Sequence, residues 1–163
     1  MCIPPGSVGT TRVMHEMELR SAAFTDHAPI PDDYSHDAGD VSPPLEWEDV
    51  PDEAVELVLV CEDPDAPTGT FSHWLLAGIP PENDGIDTGE TIADATAGRN
   101  DYGTPGYGGP HPPVGDDPHR YFFRVAALGE PSGLEPGFTI DDLRDAIEEK
   151  VVGAGTLVGT FGR

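Results

Sequence analysis

Asp63, His73 and His119 are the residues of this chain whose types and spacing allow chemistry. Asp63 opens the segment DPDAP, a turn because Pro64 and Pro67 cannot donate to a β-ladder. His73 lies in the apolar run FSHWLLAGI, and His119 directly precedes RYFFRVAAL. An imidazole beside a carboxylate is held in one tautomer when neutral, and donates two hydrogen bonds when protonated. Two such rings beside Gly-rich backbone amides can hold a phosphate or a carboxylate. The same trio can perform acid–base or metal-assisted hydrolysis, or ligate zinc. No nucleophile accompanies it. Ser72 adjoins His73 but points to the opposite face of a strand, and Cys61 closes an apolar run. The plainer readings stay open on spacing alone: a satisfied core histidine, an ordinary Asp turn and a Gly/Pro connector.

For these groups to meet, strands must bring their ends together. The run AVELVLVCE (54–62) is nearly all β-branched or Leu, which implies a strand buried on both faces. FSHWLLAGI (71–79) and RYFFRVAAL (120–128) are two more strong strands, and ETIADATAG (90–98) is a weaker one. MHEMELR alternates like an edge strand. Residues 27–51 read as a long loop interrupted by LEW. Residues 99–119, with prolines at 105, 110, 112, 113 and 118, form a long loop of the kind that usually carries function. A helix is expected over 140–151, capped by Thr139, with Asp141 and Asp142 in its first turn. Ile140, Leu143, Ala146, Ile147 and Val151 mark its apolar face. GTLVGTFGR closes the chain as an extended segment. The sum is a mainly β chain: an antiparallel β-sandwich with one C-terminal helix and long surface loops. Residues 1–12 read as a flexible tail and 13–163 as a single domain. Trp47 and Trp74 are assigned to the core. Arg120 alternates away from His119 and Tyr121, toward a surface ion pair.

Charge restricts the partners. Thirty-one acidic residues face eight basic ones, a net charge of −23. Such a surface repels nucleic acid and anionic membranes. The excess acid, with Lys150 the sole lysine, suits molar salt, where the screening length falls to about 3 Å. No stretch approaches the ~18 apolar residues of a membrane span. The first residues lack the basic start and apolar centre of a secretory signal, so a cytoplasmic location is expected. Cys2 and Cys61 lack metal-ligand spacing and suit a reducing compartment.

DPDAP, the following HW at 73–74, and GYGGPHPP with HRYFF further on resemble the phosphatidylethanolamine-binding protein family, most of all its prokaryotic Raf-kinase-inhibitor-like branch. The resemblance runs from VSPPLEW, near Val41, to the terminal LVGTFGR. It implies a β-sandwich with a small pocket for phosphate-like anions, lined by Asp63, His73, Gly109, Pro110, Pro112, His119 and Tyr121, with Tyr107 near its mouth. Asp65 looks structural, bracing the turn. His111 departs from the pattern, standing where related sequences carry a small residue or Cys. The implied function is non-enzymatic: binding of a phospholipid head group or of an anionic group on a partner protein, with a kinase or protease as the regulated partner. No cofactor, metal, nucleic acid or stable membrane insertion is implied, and a monomer or a homodimer fits.

Overall fold

The computed structural model describes residues 14–163, so the expected tail and Cys2 lie outside the described residues. The strands are β1 (His15–Glu16), β2 (Glu18–Arg20), β3 (Ala28–Pro29), β4 (Leu45–Glu48), β5 (Glu56–Asp63), β6 (Phe71–Ile79), β7 (Gly85–Ile86), β8 (Thr96–Ala97), β9 (His119–Leu128) and β10 (Val151–Phe161), and one helix, α1, spans Ile140–Ile147. A seven-stranded sheet runs β1-β10-β9-β5-β6-β8, with β3 also on β10, and a three-stranded sheet runs β2-β4-β7. The large sheet is antiparallel at its centre but mixed at one edge, where β1 and β3 lie parallel to β10.

The large sheet is the middle layer. Between it and the small sheet lies the main core, which includes Trp47, Leu57, Leu59, Trp74, Phe123 and Val125. On its other face Val58, Val60, Leu75, Ala77 and Leu128 pack with Phe138 and Leu143. Every residue of β5 is therefore buried, which explains its unbroken apolar sequence. On β9 burial alternates, with His119, Tyr121, Phe123, Val125 and Ala127 inward.

Three local expectations are corrected. The helix ends at Ile147, not at 151: Val151 and Val152 join β10, where β-branched residues fit the pleat better than a helical turn. Gly153 accordingly lies inside a strand. Its start is as expected, because the Thr139 side chain accepts from the Asp142 amide and Asp142 returns the bond, a reciprocal cap. The 90–98 segment narrows to Thr96–Ala97, since the Ala95 amide turns back to the Ile92 carbonyl, 2.9 Å. The 27–51 segment holds two strands and a 3-10 turn at Asp32–Tyr34. Of the 31 acidic residues only Glu56, Glu62 and Asp63 are buried.

Candidate functional site

Asp63 ends β5, Phe71 opens β6 directly opposite it, and His119 opens β9. Three strand ends thus share one rim. The β5–β6 ladder pairs Cys61 with Trp74 and Glu62 with Ser72, which leaves His73 as an extra residue. Such a bulge re-aims a side chain. Here it lets His73 share the inter-sheet side with Trp74, its ring centroid 5.2 Å from that of Tyr121. Ser72 stays on the other face, and its hydroxyl is buried without a partner.

The two imidazoles are held differently. His119 Nδ1 lies 2.7 Å from Asp63 Oδ2, and its Nε2 lies 3.1 Å from Asp116 Oδ2. With a carboxylate facing each nitrogen, the arrangement suits the imidazolium, which donates twice. Burial disfavours that charge, but the hydrogen bonds and fields of Asp63 and Asp116 outweigh it and raise the pKa of His119. Asp63 is itself fixed, its Oδ1 accepting the Asp65 amide at 2.8 Å. His73 Nδ1–H instead donates to the Gly108 carbonyl at 2.7 Å, and the Gly108 amide returns a bond to the His73 carbonyl at 2.8 Å. That leaves Nε2 as the free lone pair. Burial is the largest influence on His73 and lowers its pKa.

The 99–119 loop folds back over this rim. Its glycines are needed for close approach: a Cβ on Gly108 would enter the Tyr102 ring, and one on Gly109 would meet the backbone of Tyr34 and Ser35. Tyr102 is pinned by donating to the Gly109 carbonyl at 2.6 Å and by stacking on His36, ring centroids 4.5 Å apart. Gly109 in turn donates to Asp40 Oδ1 at 2.8 Å. Arg163 anchors the outer part of the loop, its Nε donating to the Pro112 carbonyl at 2.7 Å.

The result is a cavity of about 290 Å³ whose walls include Asp63, Phe71, His73, Tyr102, His119 and Tyr121, with His111, Pro112 and Pro113 along the loop side. Among the described residues the Tyr121 hydroxyl is buried with no partner at hydrogen-bonding geometry, and burial, with the nearby Asp63 carboxylate, raises its pKa. Of the eight residues expected from sequence, Asp63, His73, Pro112, His119 and Tyr121 line this cavity. Tyr107, Gly109 and Pro110 stand behind it. Tyr107 donates to the Tyr34 carbonyl at 2.6 Å and packs edge-on against Trp74, so its ring supports the wall. His111 lies on the rim at 3.4 Å from Asp37. Asp65 and Arg120 form the expected surface pair, at 2.8 Å.

Sequence reasoning missed Phe71, Tyr102 and Asp116. The aromatic inside a Gly/Pro-rich loop was the available signal for Tyr102, since such a ring needs a surface to cover. For Asp116 the signal was its position three residues before His119. Cys61 is buried in the core, where desolvation pushes its thiol pKa well up. Among the described residues no three His, Cys, Asp or Glu side chains converge to hold a metal ion. No described helix is long and apolar enough to cross a membrane.

A layered β-fold with a histidine- and carboxylate-lined cup at one rim defines a class, and comparison with known proteins gives the same class. The profile of the phosphatidylethanolamine-binding protein family matches residues 20–162, and the chain belongs to that family. It is 43% identical over 152 residues to a UPF0098 protein of Methanothermobacter thermautotrophicus, covering 90% of this chain and 99% of that one. It is 39% identical over 145 residues to LppC of Mycobacterium tuberculosis, named as a candidate lipoprotein, covering 89% of this chain and 72% of that one. Among solved structures, the phosphatidylethanolamine-binding protein homolog CT736 of Chlamydia trachomatis superposes with a TM-score of 0.85 at 37% identity, covering 91% of this chain and 99% of that one. YbcL of Escherichia coli has the same fold, with a TM-score of 0.85 at 23% identity over 90% of this chain and 98% of that one.

Proposed function

We propose that the protein is a non-enzymatic binding module whose cup receives a phosphate-like anion, from a phospholipid head group or from an anionic group on a partner protein. The observation that carries this reading is the convergence of Asp63, His73, His119 and Tyr121 on one cavity of about 290 Å³. His119 supplies a charged donor, the buried Tyr121 hydroxyl a neutral one that is still unpartnered, and Pro112 part of the rim. Gly109, Pro110 and Tyr107 hold the wall behind them. Each charge-assisted hydrogen bond contributes roughly 1.5–3 kcal/mol. Desolvation of the anion and the net charge of −23 offset much of that, so the expected affinity is millimolar to micromolar. Binding rather than hydrolysis is favoured because neither Ser72 nor Cys61 lines the cup, and the one Ser, Thr or Cys in its lining, Thr68, has no side-chain hydrogen bond to either histidine among the described residues.

Kinase or protease regulation extends the same reading, with an acidic or phosphorylated segment of the partner entering the cup. The distribution of the acids, of which only three are buried, supports work at high salt; a cytoplasmic setting and a monomer or homodimer are part of the same proposal. Stability should accordingly be higher at about 2 M than at 0.1 M KCl, because salt screens surface repulsion. The test of the binding reading is a ring-nitrogen NMR titration with inorganic phosphate and with phosphoethanolamine at high salt. His119 and His73 resonances should move with millimolar ligand. If both stay fixed, the reading fails.

A further inference from the structure

The cup's charged donor is already engaged. His119 Nε2, the ring nitrogen not used by Asp63, is met by Asp116 Oδ2 at 3.1 Å. His73 is a poor replacement, because its Nδ1–H is committed to the Gly108 carbonyl and burial lowers its pKa. Neither inner imidazole therefore offers an incoming anion a free cationic donor, and His111, the third histidine of the lining, faces Asp37 at 3.4 Å.

The two carboxylates on His119 are not equivalent. Asp63 has a side chain 4% exposed, and its second oxygen is tied down by the Asp65 amide. Asp116 has a side chain 45% exposed, and the contact with His119 is its sole side-chain hydrogen bond among the described residues. It sits on a surface turn beside the exposed Val114 and next to Gly115, whose φ of +93° favours glycine. Apart from the contact with His119, the turn is tied among the described residues through its backbone, by Asp116 N–H to the Pro113 carbonyl and Gly115 N–H to the Arg163 carbonyl, both 3.2 Å. The side chain can swing to water without breaking either bond.

We propose that Asp116 is a tethered carboxylate that occupies the anion seat on His119, so that a phosphate-like ligand binds by exchange with it. The inference rests on the cup being an anion site. A tethered competitor acts at an effective concentration of millimolar order, so only ligands that make more than one bond displace it. A phosphate oxygen can take the His119 Nε2–H while another takes the Tyr121 hydroxyl; a simple monodentate anion cannot. Asp116 thus raises the threshold for occupancy and selects for multidentate anions. The groups that face His119 and set its charge are Asp63, Asp116 and, more distantly, Asp65.

The experiment is calorimetric titration of inorganic phosphate into the wild type, Asp116→Asn and Asp116→Ala, at one pH near 6 and constant high KCl, with thermal melts to verify folding. If the seat is occupied nine-tenths of the time or more, its release tightens binding by about tenfold or more. Both variants should show that gain, and the pKa of His119 read from its ring nitrogens should fall. The exchange proposal is overturned, and the anion cup left standing, if the wild type binds phosphate and both variants bind it no more tightly. If phosphate binds to none of the three proteins while all melt cooperatively, the anion reading and the exchange fall together.

Discussion

The cup has two corners, each built around one imidazole, and they obey opposite rules. At the β9 corner His119 stands between two carboxylates, which raise its pKa and favour the protonated ring. At the β6 corner His73 is buried and donates to a carbonyl, and burial lowers its pKa and favours the neutral ring. The difference lies in the chain segments that close each corner. The acidic turns 63–65 and 114–117 supply charge to the first; the glycine pair 108–109 supplies bare backbone to the second. A ligand entering between them meets on one side a ring biased toward the imidazolium and on the other a ring biased toward the neutral form, with Nε2 as its acceptor.

The sharpest way to break this contrast is to remove the buried carboxylate. Asp63→Ala leaves His119 without its inner partner and the Asp65 amide without its acceptor. Breaking a buried charged pair on one side costs about 3–5 kcal/mol, so urea melts at high salt should show a loss of that size. Next comes Gly108→Ala. The added methyl group would enter the Tyr102 ring, which cannot withdraw because its hydroxyl is bonded to Gly109 and its face is stacked on His36. Overpacking of this kind costs roughly 1–3 kcal/mol. It should also free the His73 ring, visible as a pKa returning toward about 6.5. A fully stable Gly108→Ala variant with an unshifted His73 would show that the clamp is not what holds that ring.

A smaller effect, but a more diagnostic one, is the slope of stability with pH. The folded pKa of His119 is raised, so its stabilisation is complete below about pH 6.5 and is lost as pH climbs through the folded value. The folded pKa of His73 is lowered, so its contribution is complete above about pH 6.5 and is lost as pH falls toward the folded value. In the wild type stability therefore rises with pH up to about 6.5 through His73 and falls above it through His119. His119→Gln should remove the fall above about pH 6.5 and keep the rise below it, and His73→Gln should remove the rise and keep the fall. Equal slopes in the two variants would contradict the different protonation of the two corners.

How much of this was visible in the sequence follows from the range of the forces involved. The strands were legible because burial on one or two faces writes itself as runs such as ELVLVC and FSHWLL. The helix start was legible because Thr139 and its acids act locally. The helix end was not: Val151 fits a helical apolar face as well as it fits a strand, and only pairing with β9 decides. The meeting of Asp63 with His119 was readable from their places at strand ends and from the family resemblance. The bulge at His73, the folding back of Tyr102 and the contact of Asp116 with His119 depend on register and loop path, which no local spacing encodes.

The DPDAP turn offers the same comparison at the smallest scale, since its two aspartates have different fates. Asp63 is buried against His119, whereas Asp65 faces Arg120, which donates from Nε at 3.0 Å and from its terminal nitrogen at 2.8 Å. That paired guanidinium, against a modest opposing effect of burial, holds the Asp65 pKa down to about 2. Because the folded value is depressed, the stabilisation is present above the ordinary carboxylate pKa of about 3.9 and is lost as pH falls toward about 2. Arg120 is half exposed, and salt screens such a pair, so Arg120→Gln should cost less than about 1 kcal/mol at neutral pH. The same variant should return the Asp65 pKa toward its ordinary value by carboxyl NMR while the phosphate response of the cup stays as it was. A loss of phosphate binding in Arg120→Gln would mean that the outer aspartate, and not only the inner one, positions the site.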